Sequence, residues 1–264
     1  MALPQITHPI RVGVQLQPQH TSYQSYIDAV RRAEDLGVDT IFNWDHFYPL
    51  SGNPQGNHFE GWTLLTAMAA LTQRAKIGCL VTCNTYRNPA LLSNMAKTVD
   101  HISNGRVILG LGAGWFERDY KEYGYEFGTA GSRLAALEEA LPIIKQHWEV
   151  DAPKPIQKPI PILIGGGGEK KTLRITAKYA DIWHGFGNTA TIAHKMEVLN
   201  NWCTEVGRNP QEIERSTETS ASDSDQTRDG YVKAGVTHLI LAMGAPWNFD
   251  AIRKLVNWRN SRQR

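Results

Sequence analysis

Residues 76–111 read KIGCLVTCNTYRNPALLSNMAKTVDHISNGRVILGL, and their pattern decides the fold. The stretch opens on an apolar run at 76–82 and closes on another at 106–111. Both have the length and composition of buried strands. Between them Pro89 opens a helix at a favoured first position. Leu92, Met95, Ala96 and Val99 then follow the i, i+3, i+4, i+7 spacing of one helix face. A strand, a helix and a second strand in this order imply a parallel pair joined by a crossover.

The same unit repeats outward. Strands are expected at 11–16, 39–43, 161–164, 180–184 and 237–242, with a weaker one at 213–220. Helices are expected at 60–73, 132–148, 169–179, 189–206, 226–234 and 249–260. A further helix opens on a T-x-x-Q capping box, Thr21 with Gln24, buries Ile27, Val30, Ala33 and Leu36, and stops at Gly37. Pro142 should kink helix 132–148. Residues 112–131 read as a long glycine- and aromatic-rich loop, 153–161 as a proline-rich connector, and the polar segment 222–230 as mobile. Eight strand–helix units in 264 residues fit a (β/α)8 TIM barrel, an α/β fold, as one domain over 1–264. A doubly wound open sheet is the rival, but the first turn, QPQHTS, lacks its glycine fingerprint.

Composition narrows the function. Twenty-eight Lys and Arg against 26 Asp and Glu leave a net charge of +2, without a basic stripe for nucleic acid. No run reaches the ~18 apolar residues of a membrane span, and the N-terminus lacks the segments of a secretory signal. Cys79, Cys83 and Cys203 are few and odd in number, which fits a reducing compartment. Cys79 and Cys83, four residues apart on a strand, would stand ~13 Å apart, beyond disulfide reach. These features point to a soluble cytoplasmic protein acting on a small molecule, with neither nucleic acid nor membrane as partner.

In a barrel the chemistry gathers where strands end. Trp44-Asp45-His46-Phe47 follows the second strand, where an acid beside a histidine suits a proton relay or a buried polar contact. After the third strand, small polar residues from Thr82 to Asn88 could bind a heteroaromatic ring, and Arg87 reads as a structural ion pair. Gly110-Leu111-Gly112-Ala113-Gly114-Trp115 misses the last glycine of a dinucleotide fingerprint and leads into no helix. Its glycines instead let backbone approach a flat ligand. Gly165, Gly166, Gly167 and Gly168 stand directly before a helix, where open N–H groups and the helix dipole make a phosphate cradle. Lys170 and Lys171 could add charge. Trp62, Trp115, Phe116, Trp183 and Trp247 are candidates for the rim. There is no nucleophile elbow, no H-E-x-x-H and no carboxylate pair for a metal. So little hard chemistry in the side chains points to a phosphate-bearing cofactor.

At DTIFNWDHF (39–47), GCLVTCNTYRNPALL (78–92), SNGRVILGLGAGWFERDYKEYG (103–124) and PILIGGGGEKKTLRITAKYADIWHG (161–185) the chain resembles the bacterial luciferase-like superfamily, in its coenzyme F420-dependent oxidoreductase branch. The resemblance implies a barrel that binds a deazaflavin, or FMN in relatives, in its C-terminal mouth. It implies Asp45 and His46 beside the reactive ring, with His46 the candidate proton donor. Cys79 and Leu80 match the family's bulge after strand three, where a non-proline cis peptide backs the ring. Thr82 would hydrogen-bond the ring, Gly112, Ala113 and Gly114 would line the cofactor tail, and Gly165 to Gly168 would hold its phosphate. Trp115 stands where some relatives carry an acid, and the large insertions after strand five are missing. The expected activity is hydride transfer between coenzyme F420 and a small organic substrate, in a possible homodimer. The alternatives are an FMN-dependent monooxygenase, a phosphosugar isomerase or lyase, and a cofactor-binding protein without turnover.

Overall fold

A computed structural model describes residues 8–263; residues 1–7 of the N-terminal stretch read above, and Arg264, lie outside the described residues. The strands are β1 (Arg11–Leu16), β2 (Thr40–Asn43), β3 (Lys76–Cys79), β4 (Thr82–Cys83), β5 (Val107–Gly112), β6 (Ile162–Gly165), β7 (Ile182–Gly185), β8 (Glu214–Thr219) and β9 (His238–Met243). The helices are α1 (Tyr23–Asp35), α2 (Gly61–Leu71), α3 (Pro89–Ile102), α4 (Glu117–Tyr123), α5 (Ala130–Val150), α6 (Thr172–Tyr179), α7 (Thr189–Glu205), α8 (Asp225–Lys233) and α9 (Phe249–Arg262). All strand pairs are parallel, and β3 pairs with β5 to close the ring. β3 and β4 are two halves of one barrel position, so the expected (β/α)8 barrel stands.

Two cores follow from the alternation along each strand. Val12, Val14 and Leu16 of β1 join the large core between barrel and helices. Phe42, Leu80, Ile108, Leu163, Ile182 and Ile240 fill the barrel interior.

The departures from the sequence reading have local causes. Ser22, not Thr21, caps α1, its side chain accepting from Ser25 N. α5 runs unbroken from Ala130 through Pro142. Pro142 lies on the exposed side of that helix, where water reaches the carbonyl it leaves free. The expected loop 112–131 contains a helix, α4. Most of the polar segment 222–230 is helix, capped by Ser224.

The third strand is interrupted by a cis peptide between Leu80 and Val81, one bond beyond the pair Cys79–Leu80 that the resemblance singled out. Leu80 N donates to Asn43 O at 2.8 Å, and Gln15 Nε2 donates to Leu80 O. Val81 packs against the interior cluster. A Cβ at Gly112 would stand 2.6 Å from its Cγ2, and one at Gly165 would stand 2.8 Å from its Cγ1. These two glycines make room for a valine of the same chain. Gly165→Ala should therefore cost about 1–3 kcal/mol of stability in urea unfolding. Paired with Val81→Ala, it should cost less than the two single losses summed.

Two histidines sit inside the barrel. His184 Nδ1 is 2.9 Å from Ser216 Oγ, and His238 Nε2 is 2.8 Å from Thr40 Oγ1. Burial lowers His184 to about 3 and holds His238 well below its ordinary value. Both stay neutral in the folded chain where an unfolded imidazole, at ~6.5, takes up a proton. The unfolded state then binds more protons, so stability falls as pH drops from ~6.5 toward 3, by up to ~1.4 kcal/mol per pH unit per group. Melting temperature against pH should show this decline, and His184→Gln should make it shallower.

Candidate active site

A cavity of about 440 Å³ opens at the C-terminal ends of the strands, within the usual range for small-molecule sites. Its lining includes Asp45 and His46 from the end of β2, Leu80 and Val81 from the interrupted strand, and Gly165 and Gly166 from the end of β6.

Asp45 is buried and its oxygens are taken. Arg87 Nη1 donates to Oδ2 at 2.6 Å, Nη2 to Oδ1 at 2.9 Å, and Cys83 N to Oδ2 at 3.0 Å. Arg87 also bridges to Glu60, whose carboxylate caps α2 through Trp62 N and Thr63 N. Burial pushes the Asp45 carboxyl up against the pull of Arg87. Against the cost of burial, Asp45 and Glu60 hold the Arg87 guanidinium above its ordinary value. This geometry makes Asp45 an anchor of the loop, and Arg87 forms the structural ion pair expected of it.

His46 has a different partner. Its Nδ1 lies 2.7 Å from Oδ2 of Asp119, a fully buried carboxylate on α4. Asp119 also accepts from Tyr48 N and from the hydroxyl of Tyr86, each at 3.2 Å. With Nδ1–H given to a carboxylate, Nε2 is the ring nitrogen left for other work. The ring is fixed edge-on by Trp44, Trp115 and Phe116, at centroid distances of 5.9, 5.8 and 5.6 Å. An oriented imidazole in a cavity can give or take a proton.

The glycine segments serve two ends. Gly112, Ala113 and Gly114 line the cavity. Gly114 has φ +81°, and a Cβ there would stand 2.6 Å from Cys83 Sγ and fall on the Tyr120 hydroxyl. Gly166 N donates to His184 O at 3.0 Å, and its carbonyl accepts from Trp183 Nε1 at 2.8 Å. Gly167 and Gly168 N–H groups have no partner among the described residues. A Cβ at Gly168 would stand 2.7 Å from Thr172 Oγ1. The open donors suit a phosphate. The helix does not begin at once, as expected: residues 169–171 form a turn and α6 starts at Thr172.

Not every expected residue reaches the cavity. Cys79 and Thr82 are buried outside its lining, Gly167 and Gly168 also lie outside it, and Thr82 Oγ1 accepts from Trp62 Nε1 at 3.2 Å. Trp62 and Trp183 are core residues, Trp247 packs on Tyr26, and of the expected aromatics Trp115 lines the mouth. The sequence reading missed Gln15, Tyr86, Asp119, His184, Phe186 and Glu218. For Asp119 a signal existed: ERDYKEY carries acids in its first turn and an i,i+4 pair, Glu117–Lys121, both marks of a short helix. The three cysteines are free and buried, and no group of metal-ligating residues occurs among the described residues. No helix among the described residues is long and apolar enough to cross a membrane.

Comparison with known proteins agrees with this architecture. The family described as luciferase-like monooxygenase matches residues 5–240. An F420-dependent glucose-6-phosphate dehydrogenase of Amycolatopsis mediterranei is 31% identical over 190 residues, 65% of this chain and 54% of that one. The chain thus spans about half the length of that relative. The enzyme of the same name from Kribbella flavida is 27% identical over 241 residues, covering 81% of this chain and 69% of its own. Among solved structures, an F420-dependent secondary alcohol dehydrogenase bound to an F420-acetone adduct superposes with a TM-score of 0.86 at 16% identity, over 96% of this chain and 99% of that one. An EDTA monooxygenase from Chelativorans sp. BNC1 gives 0.75 at 12%, over 97% and 94%. The family match covers most of the chain, and the barrel has the same course: the chain belongs to the luciferase-like monooxygenase family.

Proposed function

We propose that this chain is an oxidoreductase that uses coenzyme F420 to move a hydride to or from a small organic substrate. The observation that carries the reading is the His46–Asp119 pair, with His46 in a cavity that Gly165 and Gly166 also line, and with the open N–H groups of Gly167 and Gly168 next along the chain, just outside that lining. The F420-dependent names of the relatives support it. When bound, the deazaflavin supplies the hydride chemistry. The chain's own groups do the rest. Gly167 and Gly168 hold the phosphate by their N–H groups. Trp44, Trp115 and Leu80 wall the reacting region from water. His46 Nε2 moves a proton at the substrate oxygen, while Asp119 fixes the tautomer and stabilises the imidazolium.

Titration of the apo-protein with coenzyme F420 and separately with FMN should show tight binding of the deazaflavin and weak binding of FMN. The opposite preference would make the chain a flavin monooxygenase, and binding of neither would end the reading. Gly167→Asp should weaken F420 binding at least tenfold by repelling the phosphate, with melting temperature unchanged. His46→Ala should lower kcat by ~10²- to 10⁴-fold and leave F420 affinity unchanged. Asp119→Asn should lower kcat in the same direction by less. Equal turnover in both variants removes the pair from the mechanism.

A further inference from the structure

Glu218 is the one carboxylate of the cavity lining that no residue engages. It lies on β8 opposite Ile240 of β9. Ile240 belongs to the interior cluster, so the shared register turns Glu218 inward as well, and its side chain lines the mouth. Among the described residues it has neither a hydrogen bond nor an ion pair. Every other charged or titratable side chain of the lining has a protein partner, Asp45 with Arg87, His46 and Tyr86 with Asp119, and His184 with Ser216, although the two histidines are engaged through Nδ1 alone. Cys83 faces the Tyr120 hydroxyl at 3.0 Å.

The single cationic side chain of the lining is Arg133. Its Nε donates to Gly114 O at 3.1 Å and its Nη1 to Phe127 O at 2.9 Å. Its guanidinium also stacks on the Phe127 ring at 3.9 Å. The mouth therefore offers an anionic substrate no unspent charge near β8, and it offers a donor an unspent carboxylate. The surrounding walls, Trp44, Leu50, Trp115 and Phe186, are apolar.

We infer that Glu218 selects the substrate by charge: the site takes a molecule with an apolar body that presents a hydroxyl or an ammonium group to Glu218, and it rejects a phosphorylated or carboxylated one. The inference rests on the functional reading above and names the substrate class of that site. Glu218 is exposed at the mouth, and the protein walls around it push its carboxyl up while no residue pairs with it. A donor or cation placed beside it supplies the missing partner, while an anion meets like charge with no cation to offset it. Glu218 acts on binding. It is not assigned the proton of the reaction, which belongs to His46.

The test uses four probes on the F420-loaded protein by calorimetry: cyclohexanol, cyclohexylamine as its ammonium, cyclohexanecarboxylate and glucose 6-phosphate. The expected order places the ammonium and the alcohol at least tenfold tighter than the carboxylate and the sugar phosphate. The ammonium should bind more tightly than the alcohol, Glu218→Gln should remove that difference, and Glu218→Lys should favour the carboxylate. F420 affinity should be unchanged in Glu218→Gln. Tighter binding of either anion, an order untouched by Glu218→Gln, or no binding of any probe at millimolar concentration overturns the inference. Should the protein fail to take up F420, the cofactor reading fails by itself. The four probes are then ranked on the apo-protein, where the same order and the same Glu218→Gln effect decide the charge selection.

Discussion

The mouth of this barrel depends on one buried ion pair. Asp45 and Arg87 meet through two charge-assisted hydrogen bonds, with the carboxylate fully buried and the guanidinium nearly so. Neither charge is tolerable alone there, because removing one partner of a buried pair leaves an uncompensated charge at a cost of ~3–5 kcal/mol. The pair also ties three elements together. Asp45 ends β2, Cys83 N in β4 donates to it, and Glu60, the cap of α2, takes the other side of Arg87. The loop that carries His46 is anchored by its preceding residue. The second anchor is Asp119, which meets the imidazole from α4. Two carboxylates thus serve one histidine: one holds its backbone and one holds its ring.

The barrel was legible because each strand and helix carries its own apolar period. Leu92, Met95, Ala96 and Val99 identify α3 without reference to any other segment. The site was legible in part. Asp45 and His46 stand out as an acid beside a histidine at a strand's end, but their partners come from 42 and 73 residues away. No local pattern tells which of Arg87 and Asp119 will meet which. The sequence made Asp45 a relay candidate, and the long-range pairing made it a support. Thr82 shows the same limit: its place at the end of a strand suits a ligand contact, yet Trp62 of α2 already occupies its hydroxyl.

The glycines carry a related lesson. Glycine at a strand end admits close approach, but the residue alone does not say of what. The sequence reading assigned the glycines at 110–114 to a flat ligand and Gly165 to a phosphate. At Gly112 and Gly165 the approaching group is Val81, and at Gly114 it is Cys83 with Tyr120. Only the later part of the run, Gly167 and Gly168, keeps N–H groups open. A row of four glycines is therefore divided in use: the first makes room for Val81 at the C-terminal end of the barrel, and the last two keep their N–H groups open.

That division sets a polarity across the mouth. Past the end of β6, just outside the lining, the free groups are the backbone donors of Gly167 and Gly168, which suit an anion. On the β8 side the free group is a carboxylate, which suits a donor or a cation. The committed residues lie between them: His46 is held by Asp119, and His184 is kept neutral by burial. A neutral, buried His184 cannot offset Glu218, and Arg133 is spent on carbonyls at the opposite wall. An anionic cofactor tail and an uncharged or cationic substrate would then approach the same cavity from ends of opposite character. Such an arrangement separates the two ligands by charge as well as by shape, because either one placed in the other's position meets a group it cannot satisfy.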